Sequence, residues 1–146
     1  MLIYIKNSQR SKKLNKYRIK REITKALSHL GLYSAELSVL FVNNRRMRHL
    51  NAKYRGISRT TDVLSFPMAG SDFNDVGTVL GDIVVCVPRA AKQAGDFEVT
   101  FYDEVLRLLI HGLLHLLGFD HEISAYQKNK MRKKEKELLN AIKTMA

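Results

Sequence analysis

Apolar residues recur along the chain in two periods, and the stretches over which each period holds mark its elements. Alternation over Leu2 to Lys6 predicts a first strand, and the Asn-Ser-Gln-Arg run after it predicts a turn. From Lys13 to Leu30, Leu14, Tyr17, Ile23, Leu27 and Leu30 recur near helical spacing, with Gly31 placed to cap the C-terminus. Ala35 to Val42 alternates again through Leu37, Val39 and Phe41, a second strand. Asn43 then caps a short helix with Met47, Leu50 and Tyr54 on one face, closed by Gly56. Residues 61–66 form a third strand, stopped by Pro67, and Met68 to Thr78, rich in Gly, Asp, Ser and Asn, reads as a mobile loop or hairpin tip. Val79 to Val87 is nearly all apolar and predicts a strand buried on both faces. Pro88 suits the first turn of a helix through Ala94, ended by Gly95-Asp96. Thr100 and Asp103 open a long apolar helix through Leu117 as a capping pair, and a last helix over Ser124 to Ile142 turns Met131, Leu138 and Ile142 inward. Strands interleaved with helices, without repeat or linker, predict one α+β domain over residues 1–146: a small mixed sheet of about four strands covered by helices.

Composition adds a location and a partner. At 146 residues and 45% hydrophobic content the chain can bury a single core without staples. Its lone cysteine, Cys86, excludes an internal disulfide and a cysteine-based zinc cluster; it reads as a small core residue in a strand. Met1-Leu-Ile-Tyr-Ile is too short and uncharged for a signal peptide, and no stretch is long enough to span a membrane, so a soluble, cytoplasmic protein is expected. The net charge of +11 is segregated. Residues 1–59 carry 15 Lys+Arg against 2 acids, residues 60–125 carry 3 against 10, and residues 126–146 carry 7 against 2. An acidic middle favours a cation; basic flanks favour a polyanion, with nucleic acid the natural partner.

The candidate chemistry is concentrated in His111-Gly-Leu-Leu-His115-Leu-Leu-Gly118-Phe-Asp120-His121, which holds three of the five histidines. Spacing of four puts the first two imidazoles on one helix face, and Gly118 supplies a turn able to swing His121 back beside them. Three imidazole nitrogens with a fourth position open suit zinc, with nickel, copper or another divalent ion as alternatives. The spacing is that of the metzincin proteases, yet Gly112 stands where those enzymes keep a glutamate general base, which argues against peptide cleavage. Asp62 and Asp82 each interrupt an apolar strand, and burial there would be costly without a partner; each is either a support for a ligating histidine or, as we favour, a loop anchor. Asp120 either orients a ligand or caps the turn, and Glu122 is a further acid beside it.

With its glycine, the motif resembles the hallmark of the YbeY family of rRNA-maturation proteins, matched at His111, Gly112, Leu114, His115, Leu116, Gly118, Asp120 and His121. The stretches Asn51 to Gly56, Thr61 to Pro67 and Leu80 to Ile83 agree as well, so the resemblance spans about residues 35–122. It implies a zinc-dependent, single-strand-specific endoribonuclease acting in 3′-end maturation of small-subunit rRNA and in ribosome quality control, with single-stranded RNA, that rRNA and ribosomal proteins as partners. The family's metal-binding histidines fall on His111, His115 and His121, with His115 also needed for catalysis, and its functional arginine falls on Arg55. A forked, permanently charged guanidinium suits such a role because it can hold a phosphate at two oxygens; an exposed helix-end arginine favoured by the dipole is the plainer reading. Two other functions remain open: a ribosome-assembly RNA-binding factor with a structural metal, and a metallohydrolase of another substrate.

Overall fold

The structure, a computed structural model, describes residues 1–68 and 78–145. Its elements run β1 (Leu2–Ser8), α1 (Lys16–His29), β2 (Glu36–Val42), α2 (Asn44–Arg55), β3 (Val63–Pro67), β4 (Val79–Cys86), α3 (Val87–Asp96), α4 (Phe101–Leu116) and α5 (Ala125–Thr144). The strands form one mixed sheet in the order β1-β2-β4-β3. β1 pairs parallel to β2 and β2 parallel to β4, whereas β3 runs antiparallel to β4 at the edge. Parallel pairing needs a crossover, which α1 supplies between β1 and β2. This is the small mixed α+β sheet that the periodicity predicts.

Two apolar layers flank the sheet because its central strands are apolar on both faces. Leu37, Val39 and Phe41 of β2 and Ile83 and Val85 of β4 join the larger core with α1, α4 and α5. The alternate residues Val42, Val84 and Cys86 form a second cluster with Leu64 and with Met47 of α2. Cys86 is a core residue, as its composition suggests; its thiol donates to Asn44 Oδ1 at 3.2 Å, and burial pushes its pKa up. The second layer is shorter than the expected double burial of β4 requires. Asp82 is exposed, on the side of β4 carrying Val84 and Cys86, so it needs no buried partner.

α4 is the central helix. Thr100 Oγ1 accepts from the backbone N–H of Asp103 at 3.1 Å, as the capping pair predicts, and Asp103 and Glu104 sit in the first turn, where the helix dipole favours acids. Leu108, Leu109, Ile110, Leu113, Leu114 and Leu116 are all buried. Each such side chain contributes about 1.5–3 kcal/mol through burial, which makes α4 a rigid platform.

Two expectations need adjustment, and a third falls outside the described residues. α1 begins at Lys16 and not Lys13, because the Asn15 side chain accepts from Arg18 N–H and fixes the start there. Tyr17, read as an inward residue, is 77% exposed, and the buried stripe is Ile19, Ile23, Ala26 and Leu27. The loop or hairpin expected over Met68 to Thr78 falls mostly on residues 69–77, outside the described residues. Among the described residues no helix is long and apolar enough to cross a membrane.

Candidate metal centre

His111 and His115 leave one half-buried edge of α4 one turn apart, and the chain then reverses. Gly118 takes φ +96°, a conformation that L side chains rarely adopt, while its N–H donates to His115 O and Phe119 N–H donates to Leu114 O. The Asp120 carboxylate accepts from Glu122 N–H at 2.8 Å, so Asp120 caps the turn, one of the two roles the sequence offers. His121 is thereby carried back to the helix. His115 Nε2 lies 3.2 Å from His111 Nε2 and 3.1 Å from His121 Nδ1.

These distances test whether a metal fits. A four-coordinate ion about 2.0–2.1 Å from each nitrogen sets its ligand nitrogens about 3.3 Å apart. The observed separations agree within a few tenths of an ångström, and the three side chains form a group able to hold a metal ion. The His115 pKa is lowered from the ordinary histidine value, first by burial and then by the charges of His111 and His121. Neutral imidazole is the form that offers a lone pair to a cation.

The cluster lies in a cleft of about 560 Å³ whose lining also includes Arg55, Asp62, Ser65, Asp120 and Glu122. Arg55 is the exposed last residue of α2, ended by Gly56, so a helix on the other side of the sheet delivers a guanidinium to the histidine cleft. Asp62 is also there, anchored: its carboxylate accepts from Val63 N–H at 2.8 Å and from Gln93 Nε2 at 3.4 Å. Glu122 is a loose neighbour, its carboxylate 3.8 Å from His121 Nε2. Asp82 does not line this cleft; it belongs to a groove bordered by Tyr4, Ser38 and Tyr54, and a supporting role for the histidines is excluded by position.

Gly112 has a structural reason as well as a chemical one. A Cβ there would stand 2.9 Å from Ile83 Cγ2 and 3.0 Å from Ser65 Oγ. The same close approach lets the Ser65 hydroxyl donate to Gly112 O at 3.0 Å, fastening β3 to α4 along one wall of the cleft. A glutamate at this position has no room. Gly112→Ala should therefore lower stability by about 1–3 kcal/mol, the usual cost of overpacking, read as a lower urea midpoint. An unchanged midpoint would show that the helix moves off the sheet freely.

Sequence reading missed two groups. Glu135 of α5 reaches His111: its Oε1 lies 2.6 Å from His111 Nδ1, on the ring edge away from the cluster. The signal was present, since Glu135 is the one acid on the stripe formed by Met131, Leu138 and Ile142. The other group lies behind Asp62. Glu104, 1% exposed, accepts from Gln93 Nε2 at 2.6 Å and from Arg107 Nε and Nη2 at 2.7 Å each. That pairing holds Arg107 even more firmly charged, despite its partial burial. Arg107→Ala would strand the Glu104 carboxylate with Gln93, and about 3 kcal/mol of stability should be lost in denaturant unfolding. A loss below about 0.5 kcal/mol would mean that water replaces the guanidinium.

Fold and site together define an α+β protein in which three convergent histidines, able to hold a metal ion, share a cleft with an arginine. A sequence model of the family described as Endoribonuclease YbeY matches residues 4–143. Among individual proteins, the Endoribonuclease YbeY of Persephonella marina is 34% identical over 142 residues, covering 97% of this chain and 93% of that one. That of Aquifex aeolicus is 39% identical over 133 residues, covering 91% and 87%. The solution structure of TM1509 from Thermotoga maritima superposes with a TM-score of 0.69 at 30% identity, covering 97% of this chain and 89% of that one. The chain belongs to the Endoribonuclease YbeY family.

Proposed function

We propose that the protein is a metal-dependent endoribonuclease that cuts single-stranded RNA, acting in 3′-end maturation of small-subunit rRNA and in ribosome quality control. The observation that carries this is the placement of His115 Nε2 3.2 Å from His111 Nε2 and 3.1 Å from His121 Nδ1, all three ligand atoms within 4.8 Å of one another, in one cleft with Arg55. Family membership supports the reaction class, since its relatives bear the name Endoribonuclease. Basic stretches on either side of the acidic middle support a polyanionic substrate.

His111, His115 and His121 would hold the metal, zinc being the first choice for an all-nitrogen set. When bound, such an ion acts as a Lewis acid toward a phosphoryl oxygen and acidifies water. The chain's own contribution is positioning and charge. Arg55 offers two parallel N–H donors to the non-bridging oxygens of one phosphodiester and offsets the charge that builds on them. α4, locked by its buried leucines, holds His111 and His115 in fixed register. Asp62, tied to Val63 N–H and Gln93, keeps the Thr61–Val63 wall in place. The ribosome supplies the further partners, small-subunit rRNA and ribosomal proteins, in the cytoplasm.

The test is cleavage of matched single-stranded and duplex oligoribonucleotides. The expected result is cutting of the single strand, with binding that weakens steeply as salt rises. Tight RNA binding without turnover in zinc-loaded protein would favour an assembly factor carrying a structural metal.

A further inference from the structure

An imidazole ring has two nitrogens on different edges, and in His111 both are committed. Nε2 faces His115 at 3.2 Å, inside the cluster. Nδ1 faces the other way, to Glu135 Oε1 at 2.6 Å. A carboxylate oxygen accepts hydrogen bonds, so the Glu135 contact calls for a proton on Nδ1, and in the neutral ring the Nε2 lone pair is then aimed into the cluster. Both partners are largely shielded, with side chains 23% and 18% exposed, so water competes poorly for the bond.

Nothing in the packing of α5 requires an acid at this position. The helix is already seated by Met131, Leu138 and Ile142, all buried, and a carboxylate on that stripe costs desolvation that an apolar residue would not. The charge is partly offset by Arg107, one turn before His111 on α4, whose guanidinium feels Glu135 as well as Glu104 and Asp62. Among the described residues no comparable support stands at His121, where Glu122 Oε1 is 3.8 Å from Nε2, beyond hydrogen-bond length, on a side chain 68% exposed.

We infer that Glu135 is a positioning residue of the metal centre: its carboxylate fixes the tautomer and ring orientation of His111 and thereby links affinity for a divalent cation to the docking of α5. The inference rests on the reading of the three histidines as a metal site. A carboxylate behind a ligating histidine also raises the basicity of the donor nitrogen, and losing such a partner costs about 10–100-fold in metal affinity.

The experiment is zinc binding, measured by competition with a chromophoric chelator, on the full-length parent, Glu135→Leu, Glu135→Gln and Glu137→Ala. Glu137→Ala removes a like charge from α5 at a 50%-exposed site facing Lys134 and His29. Glu135→Leu should bind zinc about 10–100-fold more weakly, whereas Glu137→Ala should match the parent. Glu135→Gln keeps an acceptor oxygen and should fall between the two. In ¹⁵N-labelled, zinc-loaded parent, His111 should show a strongly downfield Nδ1–H proton, lost in Glu135→Leu and retained but shifted upfield in Glu135→Gln. If the leucine variant does not fold, the glutamine variant, of the same shape, decides by its affinity and that resonance. Parent-like affinity in a folded Glu135 variant, or a His111 Nδ1 that carries no proton in the zinc-loaded parent, overturns the inference. A parent that binds no zinc overturns the metal-site reading itself, so the two failures are told apart.

Discussion

His115→Ala is expected to reduce RNA cleavage by about 10³-fold or more while leaving the fold and most RNA binding in place. His115 is the middle of the cluster, the residue within 3.2 Å of both other ligand nitrogens. Removing it leaves His111 and His121 without the atom that joins them, and two imidazoles hold a divalent ion far less well than three. A bound Lewis acid stabilises a phosphoryl transition state by several kcal/mol, and each 1.36 kcal/mol is a decade in rate. Elemental analysis of the variant should show little metal. The fold should persist because His115 is a half-buried residue on the cleft face of α4, and the leucines that seat the helix, Leu113, Leu114 and Leu116, are untouched. RNA binding should retain its salt dependence, since the basic flanks are untouched. Parent-like cleavage by a carefully purified His115→Ala protein would remove the histidines from the chemistry.

Arg55→Ala is expected to lower the cleavage rate by about 10²–10³-fold, the usual cost of losing one charge-stabilising donor. Its effect on metal content should be nil, because Arg55 comes from α2 and belongs to the cleft without being one of the cluster's ligands. That separation is the useful part. A variant that keeps its metal and its binding but loses turnover places Arg55 on the reacting phosphate. Arg55→Lys should recover only part of the rate, since an ammonium offers a point charge in place of the planar fork. If the alanine variant cleaves as fast as the parent, Arg55 is the exposed helix-end cation that the dipole alone explains.

Much of this architecture is written in local pattern. The strand periods of β1 and β2, the Thr100 cap of α4 and the glycine after His115 depend on residues a few positions apart, and the structure agrees with each. The convergence of His121 was legible for the same reason, because a single turn at Gly118 to Asp120 sets it. Contacts that the sequence does not advertise are those made between distant elements. Glu135 meets His111 from 24 residues away, and only the packing of α5 on α4 shows that the acid on its apolar stripe has a basic partner. Asp62 and Asp82 looked alike, each one acid in a strand-like run. They differ because α2 covers only part of its face of the sheet: Asp82 lies exposed beside a groove, whereas Asp62 is tied to Gln93 at the cleft. In the sequence Gly112 marks only the missing base; its close approach to Ile83 and Ser65 depends on how α4 lies on the sheet.

Metal removal with reconstitution decides whether the three-histidine cleft makes the protein a metal-dependent nuclease. Protein stripped with a chelator and dialysed free of it should lose cleavage of a single-stranded oligoribonucleotide. One equivalent of zinc should restore it in the parent and not in His115→Ala. Cleavage that persists at the parent rate in protein shown by elemental analysis to hold no metal would mean that the histidine cleft does not carry the reaction through a metal.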